Sequence, residues 1–294
     1  MQEIINNMSM VHETIVMPNS ELPVKFHELS NKTTGPYVVL HWHDQIEMVY
    51  VKRGTITVGC NMETIMAKPG ELIFINMNEP HSYAIIEAPV ELICCTIDIS
   101  MLKGRYITSY DPEFITSQII FEKLVSEDSA IISHFLQMWE EEKRKDRGYE
   151  FLIKANFYNI IGLMLRYQIK SIISDKQFHN SNQNLENINK VMLFIEEHYN
   201  DDLSLDVLAG HLNFNKYYFC RIFKQIAGMS PIKYLNNYRI HKAMSLMQQS
   251  TLSISDILTS VGFNNHNYFS KVFKEVTNEA PSAYLGRLRA AARQ

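Results

Sequence analysis

Two short segments of the chain carry side chains whose types and spacing could read DNA. Residues 217–224 read YYFCRIFK and residues 267–274 read NYFSKVFK, each with the apolar spacing of an amphipathic helix. Near a helix N-terminus, arginine can bridge the O6 and N7 atoms of guanine, and asparagine can pair with adenine. The candidate base-contacting residues are Tyr217, Cys220 and Arg221 in the first segment, and His266, Asn267, Ser270 and Lys271 in the second. The candidate phosphate-contacting residues, which position a protein without specifying sequence, are Lys216, Lys224 and Lys274.

These segments belong to an internal repeat. Residues 203–239 align with 252–289 after one inserted residue in the second copy, and the alignment ends by pairing Arg239 with Arg289. Each copy has a serine suited to a helix N-cap, a short helix, a turn containing Asn or Gly, and a second helix. The expected helices are 205–212 and 216–227 in the first copy, and 254–261 and 266–277 in the second. This layout predicts two helix-turn-helix units. For one isolated segment a solvated helix face is the simpler interpretation, but the duplication argues against it.

A long helix is expected between the two copies, over residues 230–248. Ser230 can cap it and Pro231 suits its first turn. At ~1.5 Å per residue this helix is ~27 Å long. A rigid spacer of that length can place two reading helices about one DNA turn, ~34 Å, apart.

The C-terminal third resembles the DNA-binding domain of the AraC/XylS family of bacterial transcription regulators. The resemblance runs through LSLDVLAGHLNFNKYYFCRIFKQIAGMSPIKYLNNYRIHKAMSLM and SISDILTSVGFNNHNYFSKVFKEVTNEAPSAYLGRLR. It implies that the seven candidate base-contacting residues occupy the family's base-contacting positions. The chain departs from the family pattern at Asn278, where glycine is usual, and at Asn215, where serine is usual. Asparagine can serve in both places, because it tolerates a left-handed backbone and also caps helices.

The preceding part of the chain is rich in short β-type runs. Between residues 36 and 100, segments such as IEMVYVKRG and GELIFINMN alternate with Gly, Asn and Pro, which predicts an antiparallel barrel or sandwich. Residues 35–54 resemble the first cupin signature, and residues 69–81 resemble the second more loosely, with Ile85 where a later Asn is usual. The residues that match metal ligands of cupins are His41, His43, Glu47 and His81.

Three interpretations of this histidine and glutamate set are open. Alternation along a strand places His41 and His43 on one face, where Glu47 can join them. Three imidazoles and a carboxylate suit Zn, Mn, Fe or Ni, so the set could hold a divalent metal. It could also line an effector pocket, or form a purely structural hydrogen-bonded network.

Two helices are expected after the barrel. Apolar residues recur at helical spacing from about Ser129, and again over roughly 149–173, where Phe151, Phe157 and Ile160 contribute to a broad stripe. The stripe could cover the barrel or pair with a second subunit, and we favour pairing. Residues 174–187 are polar and without apparent periodicity, which is typical of a linker.

Composition and charge agree with this organisation. Residues 185–294 carry 12 Lys+Arg against 9 Asp+Glu, whereas residues 1–184 carry 16 against 23, so the excess of positive charge lies in the expected DNA-binding part. We find no apolar run of about eighteen residues and no signal-peptide pattern at the start, so we expect a cytoplasmic protein without a membrane span.

The sequence therefore predicts an α+β multidomain chain. Its expected parts are an N-terminal arm (1–20), a cupin-like β-barrel that senses an effector (21–108), a helical dimerisation region (109–173), a linker (174–187) and an all-α double helix-turn-helix domain (188–294). We expect an effector-controlled transcription regulator, more often an activator by family resemblance, and not an enzyme. Its expected partners are double-stranded DNA, a small-molecule effector, a second copy and RNA polymerase. The alternatives are a metal-dependent cupin enzyme with a helical appendage, and a scaffold that binds proteins through 110–173.

Overall fold

The computed structural model of the protein describes residues 11–60, 63–102, 118–126, 129–249 and 252–291. These residues divide into two compact units, 11–184 and 185–291. The first unit contains all the described strands, and the second is helical. An N-terminal sheet-rich part followed by a helical helix-turn-helix part confirms the predicted fold class.

An eight-stranded sheet forms the centre of the first unit. Its strands are β1 (Val11–His12), β2 (Val24–Asn31), β3 (Gly35–Trp42), β4 (Ile46–Cys60), β5 (Glu63–Ala67), β6 (Leu72–Ile75), β7 (His81–Ile97) and β9 (Leu124–Val125). A separate two-stranded sheet joins β8 (Ile119–Phe121) to β10 (Ile169–Ile172). Among the described residues, all strand pairings are antiparallel except that of β1 with β3. A 3₁₀ turn, Ile99–Leu102, follows β7.

The long strands β4 and β7 pair with different neighbours along their lengths. The first half of β4 pairs with β6 and the second half with β5, and the register of β4 on β7 shifts between Val51 and Ile56. Such irregularities bend a strand. Alternation places Glu47 on the same face of β4 as Val49 and Val51, while Met48 belongs to the apolar core on the other face. The strand therefore separates two cores, and the predicted site lies on the side of Val49.

The helices α1 (Ala130–Arg144) and α2 (Tyr149–Tyr167) cover the opposite face of the sheet. Their buried side chains, including Phe135 and Phe157, form one core with Met48 and Phe74 of the sheet. The apolar stripe therefore covers the sheet, and our preference for pairing the stripe with a second subunit is wrong. Phe151, which we placed in the stripe, is instead 78% exposed.

Two segments near the end of the first unit differ from the prediction. Helix α2 ends at Tyr167, and residues 169–172 form β10, which pairs with β8. Residues 174–187 are not irregular, because helix α3 spans Asp175–His198. Ser174 and Gln177 cap its start reciprocally, each side chain accepting from the other's backbone N–H. Buried residues from Leu185 to Ile195 then sustain the helical spacing, and the division between the units falls inside this helix.

The second unit follows the predicted helix-turn-helix layout. After α3 come α4 (Leu205–Gly210), α5 (Lys216–Ala227), α6 (Pro231–Gln249), α7 (Ile254–Ser260), α8 (His266–Thr277) and α9 (Pro281–Ala291). Ser204 and Ser253 are N-caps as predicted, and each side chain accepts a backbone N–H of the following turn. The left-handed backbone of Asn278 (φ 61°) ends α8, as Gly228 (φ 69°) ends α5.

Parts of the predicted domain limits lie outside the described residues. Residues 1–10 of the expected arm, and 103–117 and 127–128 around the start of the helical region, are among them. Within the arm, Val11–His12 pairs in parallel with His41–Trp42 of β3. The domain limits themselves remain predictions.

Candidate nucleic-acid interface and ligand site

The first predicted reading helix, α5, is fixed at its start by a cap. The side chain of Asn215 accepts from the backbone N–H of Tyr218 at 2.8 Å. Beyond the cap, Tyr217 is 83% exposed, Arg221 is exposed, and Cys220 is half-buried. The guanidinium of Arg221 lies over the ring of Tyr218, 5.4 Å from its centroid. Stacking of this kind restrains a long side chain that otherwise has many rotamers.

The second predicted reading helix, α8, repeats the arrangement. Asn265 accepts from the backbone N–H of Tyr268 at 2.9 Å. All four of its candidate base-contacting residues are exposed: His266, Asn267, Ser270 and Lys271. The candidate phosphate-contacting lysines are also exposed: Lys216, Lys224 and Lys274. Lys216 is held by Asp206 at 2.7 Å. The structure thus places both polar sets on the outer faces of capped helices, while Phe219 and Phe269 on the inner faces are buried.

In the first unit, the fold brings together the four residues that match the cupin ligands. His41 lies at the end of β3, His43 follows that strand directly, Glu47 lies on β4 and His81 begins β7. Each offers one donor atom, and these atoms all lie within 4.8 Å of one another. All four side chains are buried. The Nε2 atoms of His43 and His81 lie 3.1 Å and 2.8 Å from the Oε2 atom of Glu47.

Backbone contacts determine which ring nitrogen of each histidine carries a proton. The Nδ1 atoms of His41, His43 and His81 lie 3.0, 3.1 and 2.7 Å from carbonyl oxygens of Val39, Gln45 and Glu79. A carbonyl oxygen only accepts, so each Nδ1 donates its proton there. In the neutral ring, Nε2 then carries a lone pair, as in metal-binding histidines whose second nitrogen is held by the protein.

This arrangement fits a divalent transition metal. The lone pairs of His43 and His81 face the lone pairs of a buried carboxylate, and acceptors facing acceptors repel unless a proton or a cation lies between them. Three imidazole nitrogens and one carboxylate oxygen are a common ligand set for such a metal.

When no cation is bound, protons on the neighbouring histidines offset the negative charge of Glu47. Burial alone would raise the pKa of Glu47, but hydrogen bonds from His43 and His81 hold it well below its usual value. Burial opposes protonation of His81, yet the hydrogen bond to Glu47 leaves the pKa of His81 raised. Burial, followed by the charge of His81, lowers the pKa of His41 to about 4. Glu47 therefore keeps its negative charge, and the imidazole of His81 is more basic than that of His41.

A cavity of about 220 Å³ opens beside the cluster, and sequence analysis missed most of its lining. His27 and Tyr83 line it, and the buried Nδ1 of His27 has no hydrogen-bond partner among the described residues. Lys25 adds a positive charge, and Glu13 reaches within 3.6 Å of the Nε2 atom of His41. A sequence signal existed for Tyr83 alone, since it lies two residues after His81 on the same face of a strand.

A second buried charge pair holds the segment before His81. Lys123 forms an ion pair with Glu79, which also accepts from the backbone and side-chain nitrogens of Asn76 at 3.1 and 3.0 Å. Lys123 and Glu79 are 6% and 7% exposed. The carbonyl of Glu79 in turn accepts from His81, so this pair helps to orient a ring of the cluster.

Comparisons with known proteins agree with this division of the chain. Residues 29–161 match the family model described as an AraC-like ligand binding domain, and residues 208–287 match the model described as a helix-turn-helix domain. Among the described residues, no helix has the length and apolar character needed to cross a membrane.

Curated relatives span most of the chain. The HTH-type transcriptional regulator YdeC of Bacillus subtilis is 26% identical over 261 residues, covering 83% of this chain and 85% of that protein. The HTH-type transcriptional activator RhaS of Shigella sonnei is 23% identical over 280 residues, covering 88% and 91%. Among solved structures, ToxT from Vibrio cholerae with a bound unsaturated fatty acid is 18% identical, covers 89% of this chain and 94% of that one, and has a TM-score of 0.41.

The ligand-binding model matches the first unit and the helix-turn-helix model matches the second unit. The curated relatives align across both units. The chain belongs to the AraC family of DNA-binding transcription regulators, with a ligand-binding domain followed by a helix-turn-helix domain.

Proposed function

We propose that each subunit reads two stretches of the DNA major groove, one with α5 and one with α8. The observation that supports this most directly is the repetition of a capped helix whose outer face is polar and exposed. In this proposal the base edges are contacted by Tyr217, Cys220, Arg221, His266, Asn267, Ser270 and Lys271. The backbone phosphates are contacted by Lys216, Lys224 and Lys274.

The cavity beside the histidine cluster binds the effector in this proposal. The unpartnered Nδ1 of His27 supports it, because buried polar groups normally have partners and a bound ligand would supply one. A cavity of about 220 Å³ suits a small polar molecule. His41, His43, Glu47 and His81 would hold a divalent metal, which when bound would supply positive charge to an anionic or hydroxyl-bearing ligand.

The protein acts in the cytoplasm as a homodimeric activator in this proposal, and not as an enzyme. Exposed apolar side chains on α2, Phe151 (78%) and Leu152 (49%), give a second copy a surface to bury. Effector binding favours one dimer arrangement, which changes the half-sites that both subunits reach and the contacts available to RNA polymerase. The similarity to the activator RhaS supports activation over repression.

Selection of duplexes from a randomised pool, followed by footprinting, tests the proposal. We expect two protected half-sites per subunit, separated by about one DNA turn. Protection of less than one turn per subunit would refute two reading helices.

The four possible metal ligands also raise the alternative of a cupin enzyme, which the same purified protein can test. In an enzyme, Arg221→Ala would leave function intact, whereas a regulator with that change loses control of its reporter gene.

A further inference from the structure

Arg239 is a buried cation near the middle of the helix α6, which joins the two repeats. The residue is 8% exposed. Its Nε atom donates to the carbonyl of Tyr199 at 2.6 Å, and its Nη2 atom donates to the carbonyl of Asp201 at 2.7 Å. Both carbonyls belong to the segment that joins α3 to α4. The guanidinium therefore ties α6 to the entrance of the first helix-turn-helix unit.

The same guanidinium contacts the turn of the second helix-turn-helix unit. Its Cζ atom lies 5.5 Å from the ring centroid of Phe263, which is buried in the core of that unit. The preceding residue, Gly262, has a left-handed backbone (φ 85°). A Cβ atom at this glycine would lie 2.9 Å from Nη2 of Arg239 and 2.8 Å from the carbonyl oxygen of Asn200. The turn of the second unit thus closes directly on Arg239 and on the entrance segment.

The repeat shows that this burial is not a general feature of the motif. Arg289 occupies the corresponding position of the second copy, and it is exposed. One helical turn before Arg239, the buried Asn236 donates to the hydroxyl of Tyr268 on α8 at 2.7 Å. This hydrogen bond joins α6 to the second reading helix near Arg239.

We propose that Arg239 is a positioning residue that holds the two helix-turn-helix units at one fixed separation, so that the protein selects DNA by the spacing of its half-sites. A planar guanidinium can bond two carbonyls and stack on a ring at once, whereas lysine offers one compact charge. A buried guanidinium that loses these contacts is strongly destabilising. The contacts of Arg239 therefore oppose movement of one helix-turn-helix unit relative to the other. The inference rests on the proposal that both α5 and α8 read DNA.

The test uses the full chain and a duplex that the wild-type protein selects from a randomised pool. A second duplex carries two base pairs inserted between the half-sites, which rotates one half-site by about 70° relative to the other. We expect the insertion to weaken wild-type binding about 10-fold or more. With Arg239→Met, which keeps side-chain bulk, we expect the intact duplex to bind about 10-fold more weakly and the insertion to cost less than about 3-fold.

Arg289→Met is the matched control, and it should retain the wild-type penalty for the insertion. Binding to a duplex with a single half-site separates positioning from folding, because Arg239→Met should match wild type there. A folded Arg239→Met protein with an undiminished insertion penalty, or with equal losses on single and double half-sites, overturns the inference. If circular dichroism shows this variant unfolded, Arg239→Lys is judged by the same criteria. A wild-type protein that binds single and double half-sites equally would instead refute two-helix reading itself.

Discussion

The Nε2 atom of His81 lies 2.8 Å from the Oε2 atom of Glu47, although both atoms are acceptors when the ring is neutral and its Nδ1 donates to a carbonyl. Both side chains are buried, and a separation of 2.8 Å leaves no room for a water molecule between the two atoms. A proton or a divalent metal must therefore occupy the contact, and the convergence of His41 and His43 on the same point favours a metal.

Removing one imidazole should weaken metal binding strongly. We expect His81→Gln to lower the affinity for Zn²⁺ about 100-fold, because the site loses a ligand held at a fixed angle. Competition with a chromophoric chelator on dialysed protein measures the change. His179→Gln, an exposed histidine away from the cluster, should leave the affinity unchanged. Wild-type protein that does not compete for Zn²⁺ would exclude the metal site.

Breaking the buried pair of Lys123 and Glu79 should destabilise the first unit. Lys123→Met leaves a carboxylate buried without its cation, so we expect a loss of about 3–5 kcal/mol in the free energy of unfolding. Urea denaturation followed by fluorescence measures it. The exposed pair of Lys170 and Glu63 is the control, and Lys170→Met should cost less than about 1 kcal/mol. Similar small losses for both variants would contradict a structural role for the buried pair.

Arg221 and Lys224 should differ in their effect on DNA binding. Arg221→Ala should weaken binding to the selected sequence by about 1–3 kcal/mol and relax preference at one base position, because it would remove the bidentate base contact that we propose. Lys224→Ala should weaken all sequences alike and reduce the salt slope by about 1, because it would remove the phosphate contact that we propose. Fluorescence anisotropy at several salt concentrations, on selected and random duplexes, distinguishes them. Equal losses on both duplexes for Arg221→Ala would argue against base reading.

His241 should make the second unit sensitive to acid. Burial lowers the pKa of His241 to about 4, and its two buried ring nitrogens have no partner among the described residues. Because the folded pKa lies below the unfolded value of 6.5, protonation favours unfolding. The free energy of unfolding therefore has its full value, as far as His241 is concerned, above pH 6.5. It decreases as the pH falls towards 4, by at most about 3 kcal/mol.

His241→Leu provides the comparison. The difference in urea stability between wild type and this variant should change between pH 7 and pH 4.5, in the direction that penalises wild type at low pH. A difference that stays constant over this range would mean that the ring is not protonated on unfolding.

Helix-turn-helix features were accessible from sequence because neighbouring residues determine them. The cap at Ser204, the left-handed Asn278 and the bounds of α5 and α8 depend on hydrogen bonds within a few residues, and the repeat supplied two instances of each pattern. Ser174 and Gln177 carried the same kind of local signal for α3, but the polar composition around them favoured a linker.

Only the tertiary structure decided which faces the first unit buries and which distant groups meet. The stripe of α1 and α2 is equally apolar whether it covers a sheet or another subunit, so its target depends on the strands it meets. His27 and Tyr83 lie 56 residues apart in sequence, and they line one cavity because β2 and β7 belong to one sheet. Arg239 and Arg289 occupy equivalent positions of a repeat, yet one is buried and the other exposed. Side-chain type and spacing therefore specify local elements, whereas burial and partnership follow from contacts that the chain forms only when it folds.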